Sequence, residues 1–187
     1  MLRIIAGKYI RRQLKTLPGL EVRPILSRIK KSLFDIMTPK LRGAMFLDLY
    51  AGSGSVGIEA LSRGAKKAVF VDNNRRSVRI ITQNLQLCGI RVPEEAEVLP
   101  RTVDPRLFIP YEFNIIFAGT PYHDDTGAFV KLGVNTVEII SVLKIFRPGA
   151  WVIVQHHDTE KLPGSVGTLA LFRSERYGDT VLDFYRA

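Results

Sequence analysis

Apolar segments alternate with segments of mixed character along most of the chain, and their periodicity predicts strands and helices in turn. An apolar strand runs into a glycine-rich turn at Gly52, and the elements predicted after it are helix Ser55–Ser62, strand Ala68–Asp72, helix Arg75–Leu87, strand Ala96–Leu99, strand Asn114–Ala118, helix Thr126–Ile145 and strand Ala150–Gln155. This alternation predicts a doubly wound, mostly parallel sheet.

Two further strands complete the predicted sheet. Thr168–Ser174 and Thr180–Tyr185 lie on either side of Tyr177-Gly178-Asp179, which predicts an antiparallel hairpin at one edge. The fold class is therefore expected to be α/β and Rossmann-like, with a mostly parallel seven-stranded sheet and an antiparallel C-terminal edge hairpin.

The first 42 residues predict a small extension. Leu2–Tyr9 and Arg11–Thr16 are expected to form a hairpin that turns near Gly7 and Lys8, and a helix is predicted over Ser27–Met37. We expect the apolar stripe of that helix to pack on the rest of the protein. Its basic residues lie away from the stripe and are expected to remain free for phosphates: Arg28, Lys30 and Lys31. The predicted domains are residues 1–42, the basic extension, and residues 43–187, the main domain.

The glycine-rich turn predicts a nucleotide cofactor. Gly52 and Gly54 allow the main chain to approach a ligand closely, and the following helix offers free N–H groups at its N-terminus. Asp72 ends the next strand, where nucleotide-binding folds place the carboxylate that accepts from a ribose.

The identity of the cofactor is less constrained by this spacing. Gly52-x-Gly54-x-x-Gly57 also fits the dinucleotide fingerprint, so a nicotinamide-dependent oxidoreductase is one alternative. Asp48 favours S-adenosylmethionine, because a carboxylate before the glycines suits a ligand that carries a sulfonium and an ammonium group.

Composition narrows the class of protein. With 187 residues and 46% hydrophobic content, the chain can bury a full core without disulfides or metals. The single cysteine, Cys88, lies among apolar residues and is expected to be a buried, inert thiol. No apolar run reaches membrane-spanning length and no signal peptide is evident, so a cytoplasmic protein is expected.

The net charge of +9 is concentrated in one segment. Residues 1–42 alone carry +9, whereas residues 43–187 are formally neutral. An excess confined to one segment favours a phosphate-backbone partner. The residues expected to contact the phosphates of a nucleic acid are Lys8, Arg11, Arg12, Lys15, Arg23 and Arg28.

The carboxyl ends of parallel strands are where such sheets bind ligands, and Gly119-Thr120-Pro121-Tyr122 follows the strand over 114–118. With this segment, the chain resembles the RsmD family, the 16S rRNA guanine-N2 methyltransferases. The resemblance spans nearly the whole chain and rests on 3–8, Arg23-Pro24, 32–36, Asp48-Leu49-Tyr50-Ala51-Gly52-Ser53-Gly54 and 59–65.

The resemblance implies a methyltransferase-type sheet, S-adenosylmethionine as methyl donor, and the exocyclic amine of a guanine in small-subunit rRNA as acceptor. It implies that Tyr122 stacks on an extruded base while Gly119, Thr120 and Pro121 complete the catalytic segment, aligning the amine with the methyl carbon. The residues expected to contact the cofactor are Asp48, Tyr50, Ala51, Gly52, Gly54, Asp72, Asn73 and Thr102.

The chain departs from the family pattern at three places. Gly119 stands where the family has Asp or Asn, and Thr120 replaces the first proline. Arg101-Thr102 stands where the family usually has an acidic residue near the adenine amine, and Asp104 lies slightly beyond. After Arg23-Pro24, Ile25 stands where the family favours a threonine. Two hypotheses follow. The chain is an active enzyme whose amine acceptor is the Thr120 carbonyl, Asp124 or Asp125, or it is a degenerate homologue that binds rRNA as a ribosome-assembly module.

Other polar clusters receive no role. His123-Asp124-Asp125 has no further metal ligand at a suitable spacing, and only one member of His156-His157-Asp158 could point inward. We therefore expect no metal site. The protein is expected to be a monomer, and the resemblance implies ribosomal RNA or the small ribosomal subunit as its partner.

Overall fold

A computed structural model describes residues 2–17, 25–107, 109–123, 126 and 128–187. Its elements in chain order are α1 (Ser27–Leu41), β1 (Met45–Leu49), α2 (Ser55–Ser62), β2 (Lys67–Val71), α3 (Arg75–Cys88), β3 (Ala96–Leu99), β4 (Phe113–Gly119), α4 (Gly133–Leu143), β5 (Phe146–His157), β6 (Ser165–Val166), β7 (Leu169–Tyr177) and β8 (Thr180–Arg186).

The strands form one sheet in the order β3-β2-β1-β4-β5-β8-β7-β6. Strands β1 to β5 are parallel, while β8 lies antiparallel to both β5 and β7. The predicted α/β class, the parallel core and the antiparallel C-terminal hairpin are confirmed. The predicted count of seven strands is one short, because the two-residue strand β6 pairs with β7 at the edge.

Alternate residues of the strands build two core layers, as the two-residue period of a strand requires. On one face Phe46, Phe70 and Ile115 pack against α1, α2 and α3. On the other, Leu47 and Ile116 are among the residues that pack with α4. Both faces of the central strands are buried, which explains their nearly continuous apolar sequence.

Helix α4 begins later than the sequence pattern predicts. The prediction was Thr126–Ile145, whereas the helix spans Gly133–Leu143. The preceding residues fold back instead: His123 forms an antiparallel bridge with Phe129, and the Val130 N–H donates to the Tyr122 carbonyl. The side chain of buried Glu160 accepts from the Gly133 and Val134 N–H groups at 3.1 and 3.0 Å, which fixes the helix start.

The predicted N-terminal hairpin is present. Arg3 forms an antiparallel bridge with Gln13, and the Ile4 N–H donates to the Arg12 carbonyl at 3.0 Å. The turn of the hairpin lies against the end of α2, so closely that a Cβ on Gly7 would fall 1.9 Å from the Ser62 carbonyl oxygen. Glycine is therefore required at this position for the hairpin to dock.

One expectation about α1 is wrong. Lys30 was expected on a free basic face, but its side chain is fully buried and its ammonium lies 3.4 Å from the Glu59 carboxylate. It also donates to the Arg3 carbonyl at 2.9 Å. Lys30 therefore holds the hairpin and two helices together and cannot contact a phosphate.

Glu59 is the centre of this buried cluster. Its carboxylate accepts from the Ile5 and Ala6 N–H groups at 2.8 and 3.0 Å and from Arg63 at 2.8 Å. Burial lowers the pKa of Lys30, and the charge of Glu59 opposes that effect. Every polar atom of the carboxylate thus has a partner, as a buried charge requires.

Candidate active site

The candidate site is a cleft at the carboxyl ends of β1, β4 and β5. Strand order reverses between β1 and β4, and in sheets of this kind a crevice opens at such a switch point. The residues that line the cleft are Ile25, Asp48, Tyr50, Ala51, Gly52, Ser53, Ser55, Val56, Phe117, Gly119 and Gln155. The structure thus brings together the start of the glycine turn and the first residue of the predicted catalytic segment.

The glycine turn has a backbone that glycine favours. Gly52 and Gly54 have φ values of 56° and 74°, and the Gly54 N–H donates to the Ala51 carbonyl at 2.7 Å. Tyr50 also has a positive φ, 56°, and its hydroxyl lies 3.1 Å from that of Thr136. Gly54 is the N-cap residue of α2, and no side chain of the residues that the structure describes caps this N-terminus.

Gly57, the third glycine of the fingerprint, has a packing role. A Cβ at this position would fall 2.3 Å from a ring carbon of Phe70 and 3.1 Å from an Asp48 carboxylate oxygen. The third glycine therefore allows α2 to approach β2 and β1, and its position says little about which nucleotide the turn accepts.

Asp48 combines burial with a polar contact. Its side chain accepts from the Gly57 N–H at 2.8 Å, and the residue is only 2% exposed. Burial raises the pKa of Asp48 to about 8; the Gly57 hydrogen bond opposes this, and the charge of Asp72 adds to it. A cation in the cleft would stabilise the ionised form of this carboxyl group.

Asp72 braces the turn from the end of β2. One carboxylate oxygen accepts from the Gly52 N–H at 2.8 Å and the other from the Asn74 N–H at 2.9 Å. Burial is the main cause that raises the pKa of Asp72, against these hydrogen bonds. A carboxylate oxygen has two lone pairs, so these two hydrogen bonds do not use the full acceptor capacity of Asp72.

The predicted cofactor contacts that are not among the described residues lining the cleft are Gly54, Asp72, Asn73 and Thr102. Asn73 and Thr102 are exposed, after β2 and β3 respectively. The carboxylate of Asp104, two residues after Thr102, accepts from the Arg106 N–H at 2.8 Å and from the Arg106 guanidinium at 3.1 Å. Arg106 lowers the pKa of that carboxyl group.

The segment Gly119-Thr120-Pro121-Tyr122 is held on β5. The Thr120 hydroxyl and N–H both donate to the Gln155 carbonyl, at 2.8 and 3.2 Å. The Tyr122 hydroxyl donates to the His156 carbonyl at 3.1 Å, and its ring meets the His157 ring edge to face at 5.4 Å. Pro121 is half-buried, while Asp124 and Asp125 lie outside the described residues.

The predicted RNA-binding residues form an exposed basic surface. Lys8, Arg11, Arg12, Lys15 and Arg28 are all exposed, whereas Arg23 lies outside the described residues. Lys8 comes within 4.0 Å of Glu95, and the Lys15 ammonium donates to Gln83 of α3 at 2.9 Å. The N-terminal hairpin therefore lies along α3.

The sequence pattern did not single out Asn84. This buried side chain accepts from the Lys15 N–H at 2.8 Å and donates to the Lys15 carbonyl at 3.0 Å. It also donates to the Ser53 carbonyl at 2.9 Å, so it connects the basic hairpin with the glycine turn. An asparagine at an otherwise apolar position of an amphipathic helix was the available signal.

Gln155 was also missed. It ends the predicted strand over 150–155 and lines the cleft beside Gly119. A polar side chain at the carboxyl end of a buried strand was the signal for it.

A family model described as "Conserved hypothetical protein 95" matches residues 2–186. The chain belongs to this family. YlbH of Bacillus subtilis, assigned by its name to the rRNA methyltransferases, is 30% identical over 99% of this chain and 98% of its own. Ribosomal RNA small subunit methyltransferase D of Haemophilus influenzae is 32% identical over 85% of this chain and 79% of its own. The resemblance to the RsmD family is thereby confirmed.

Solved structures agree with this placement. The methyltransferase-type protein yhhF of Escherichia coli superimposes with a TM-score of 0.80 at 26% identity, over 99% of this chain and 97% of that one. The Thermus thermophilus 16S rRNA N2 G1207 methyltransferase RsmC, solved with AdoMet and guanosine, superimposes with a TM-score of 0.70 at 21% identity. The match covers 91% of this chain and 44% of that one. The second likeness shows the fold. The methyltransferase fold is confirmed, and the nicotinamide alternative loses its support.

No helix within the described ranges combines the length and apolar character needed to cross a bilayer. The same residues contain no group of three or more metal-ligating side chains placed to hold an ion.

Proposed function

We propose that this chain transfers a methyl group from S-adenosylmethionine to the exocyclic N2 amine of a guanine in small-subunit rRNA. The curated relatives of the chain are named rRNA methyltransferases, which supports methylation of rRNA by this chain. The donor, the base and the modified atom are the proposal. The observation that carries it is the meeting of the glycine turn, the buried Asp48 and Gly119, the first residue of the predicted catalytic segment, in one cleft.

The residues at the turn suit the proposed donor. Gly52 and Gly54 give a backbone that a nucleoside can approach, and Asp72 offers ribose acceptors beside Gly52. The pKa of the Asp48 carboxyl group is raised to about 8, so a cationic ligand beside it would stabilise its ionised form. S-adenosylmethionine supplies a methyl group bound to a positively charged sulfur. In the transfer the guanine nitrogen forms a bond to the methyl carbon, the C–S bond breaks and its electron pair stays on sulfur. The nitrogen then loses a proton to water.

The chain's contribution to the reaction is alignment. Thr120 is fixed by two hydrogen bonds to β5, so its carbonyl is a rigid candidate acceptor for one amine hydrogen. Tyr122 is anchored through its hydroxyl and by the edge-to-face contact with His157, and in this proposal its ring is the surface on which an extruded base stacks. Holding the reacting atoms in line accounts for much of the acceleration expected in such a transfer.

The exposed basic residues of the hairpin and the first turn of α1 supply the RNA contacts in this proposal. Lys8, Arg11, Arg12, Lys15 and Arg28 are the candidate phosphate contacts, and Asn84 ties Lys15 to the turn that would hold the donor. Phosphate contacts of this kind position an RNA without selecting its sequence.

Gly119 favours a second candidate function, an rRNA-binding assembly module without efficient transfer. The residue offers no side-chain acceptor, and loss of one positioned contact typically costs about 100-fold in rate. A Cβ at Gly119 would lie 3.2 Å from the Phe117 ring, so a side chain can be introduced with a small movement of that ring.

The two candidates are separated by Gly119→Asp. Methyl incorporation from labelled S-adenosylmethionine into small-subunit particles that lack the modification is measured for both proteins. An active wild-type chain with no gain from the substitution supports the enzyme. A wild-type rate near zero with a large gain from Gly119→Asp supports the assembly module.

A further inference from the structure

Gly119 and Gln155 are neighbours on the cleft face of the sheet. They are register partners in the parallel pair of β4 and β5, and Phe117 and Ile153 are partners two residues earlier. Side chains of register partners point to the same face of a sheet, and residues two apart on a strand do as well. Phe117 and Ile153 belong to the core layer under α1, α2 and α3, so the space that Gly119 leaves lies beside the side chain of Gln155.

The Gln155 main chain is held firmly. Its carbonyl oxygen accepts from both the hydroxyl and the N–H of Thr120, and β8 pairs with it through Leu182. The side-chain amide, in contrast, makes no hydrogen bond to any residue in the described ranges, although the residue is half-buried and lines the cleft. An amide donor and an amide acceptor are therefore presented to the cleft from a rigid strand.

The cleft also contains the hydroxyl groups of Ser53 and Ser55, on the glycine turn and at the start of α2, whereas its carboxyl and phenol groups have hydrogen-bond partners. Asp48 accepts from the Gly57 N–H, and the Tyr50 hydroxyl lies at hydrogen-bond distance from Thr136. Phe117 and Ile25 add only apolar surface. Gln155 thus stands out as an uncommitted amide beside the position where a family member has Asp or Asn.

We propose that the Gln155 side chain replaces the missing acceptor of Gly119 and binds the guanine at its N2 and N3 edge. The inference rests on the proposed function. The amide oxygen accepts one hydrogen of the N2 amine, while the amide NH2 donates to N3, the ring acceptor next to that amine. The second amine hydrogen remains for the Thr120 carbonyl. Both acceptors stabilise the positive charge that develops on the nitrogen during transfer.

This arrangement also selects the base. Adenine carries no amine next to N3, so it would leave the amide oxygen unpaired in the complex, which disfavours its binding. The same amide that orients the nucleophile therefore discriminates guanine from adenine.

The test uses Gln155→Met, which keeps the length of the side chain and removes the amide. On the same small-subunit particles, kcat is expected to fall about 100-fold, with the dissociation constant for S-adenosylhomocysteine unchanged within about twofold. Gln155→Glu keeps an acceptor and should retain much more activity than the Met variant. Gln86→Met, the same change on the outer surface of α3, is the control and should behave as wild type.

A second comparison asks whether Gly119 and Gln155 share one task. Adding Gly119→Asp to the Gln155→Met protein should recover at least about tenfold in kcat, because the carboxylate restores an acceptor at the neighbouring position. If Gln155→Met does not fold, as judged by its unfolding midpoint, Gln155→Thr gives a strand-favouring replacement too short to reach the base.

The outcomes are distinguishable. A wild-type protein that methylates guanine while Gln155→Met retains activity within about threefold overturns the role of Gln155 and leaves the proposed function standing. A wild-type protein with no transfer that becomes active with Gly119→Asp overturns both, since Gln155 would then have failed to supply the acceptor.

Discussion

At the scale of single residues, Asp48 shows how a carboxyl group can be prepared for a ligand. Burial raises its pKa from an ordinary value of 3.8 to about 8, so the group holds a proton at neutral pH when the cleft contains only water. Between these two values the folded protein binds more protons at Asp48 than the unfolded chain does. The contribution of Asp48 to stability is therefore complete at low pH and is lost as the pH rises.

This sign gives a first prediction. From about pH 4 to about pH 8 the free energy of unfolding should fall by a few kcal/mol on account of Asp48, since one pKa unit corresponds to about 1.4 kcal/mol. Asp48→Asn should remove that part of the slope in urea titrations at a series of pH values. Gln86→Met, a change at an exposed position that removes no ionisable group, should keep the wild-type slope. Equal slopes for Asp48→Asn and wild type would contradict the burial argument.

Gly57 gives a second prediction with an unusual sign. Glycine to alanine within a helix normally stabilises by up to about 1 kcal/mol, but here the new Cβ would lie 2.3 Å from the Phe70 ring. Gly57→Ala should therefore destabilise the protein by about 1–3 kcal/mol in urea unfolding. Gly164 has nothing within 4 Å of an added Cβ, and Gly164→Ala should be close to neutral. A stabilised Gly57→Ala protein would show that the approach of α2 to β2 is looser than described.

At the scale of elements, the buried pair of Lys30 and Glu59 joins α1, α2 and the N-terminal hairpin. Lys30 has no exposed surface, and its position next to Lys31 in the sequence gives no indication of this difference. Lys31 is exposed and pairs with Asp35 at 2.6 Å. Neighbouring lysines of one helix therefore make unequal contributions to stability.

The third prediction compares these two lysines. Lys31→Met should change the free energy of unfolding by at most about 1 kcal/mol, because exposed ion pairs contribute little. Glu59→Gln leaves Lys30 as a buried, poorly compensated charge and should cost about 3–5 kcal/mol. Lys30→Met should fall between them, since Glu59 keeps Arg63 and two backbone donors. Equal costs for Lys30→Met and Lys31→Met would contradict the buried cluster.

Element types were predictable from the sequence where the period of apolar residues decides them. Helix α2 and strand β3 have the predicted bounds, and the parallel core follows from their alternation. The start of α4 was not predictable in this way. It depends on the Glu160 carboxylate, which comes from a residue 27 positions later and satisfies the first N–H groups of the helix.

The candidate site was predictable only in part. Asp48 and the glycine turn follow a local motif, so the sequence alone places them beside a ligand. The availability of Gln155 depends on its register with Gly119 across two strands, and the burial of Lys30 depends on the docked hairpin. Such relations arise from tertiary contacts, which no periodic pattern encodes.

At the scale of the whole molecule, charge is distributed unevenly. The net charge of +9 is carried by residues 1–42, and the hairpin within that segment lies along α3. Helix α3 adds exposed cations of its own, Arg75 and Arg79. Exposed cations on the hairpin and on α3 attract a polyanion, and the affinity for that polyanion falls as salt is added.

The fourth prediction follows from this surface. Arg11→Ala combined with Arg12→Ala should weaken binding of 16S rRNA and reduce the slope of log affinity against log salt by about two, or roughly one per lost phosphate contact. The affinity for S-adenosylhomocysteine should not change, because neither side chain lines the cleft. Arg147→Ala combined with Arg173→Ala removes the same charge elsewhere and is the control. An unchanged salt slope for the hairpin variant would place the RNA on another surface.

The most direct measurement is the identity of the nucleoside that the protein produces. Small-subunit particles lacking the modification are incubated with the wild-type chain and methyl-labelled S-adenosylmethionine, and the RNA is digested to nucleosides and separated. The account predicts label in N2-methylguanosine, with loss of that label in Gln155→Met and retention in Gln86→Met. Label in any other nucleoside, or none in the RNA, would contradict it.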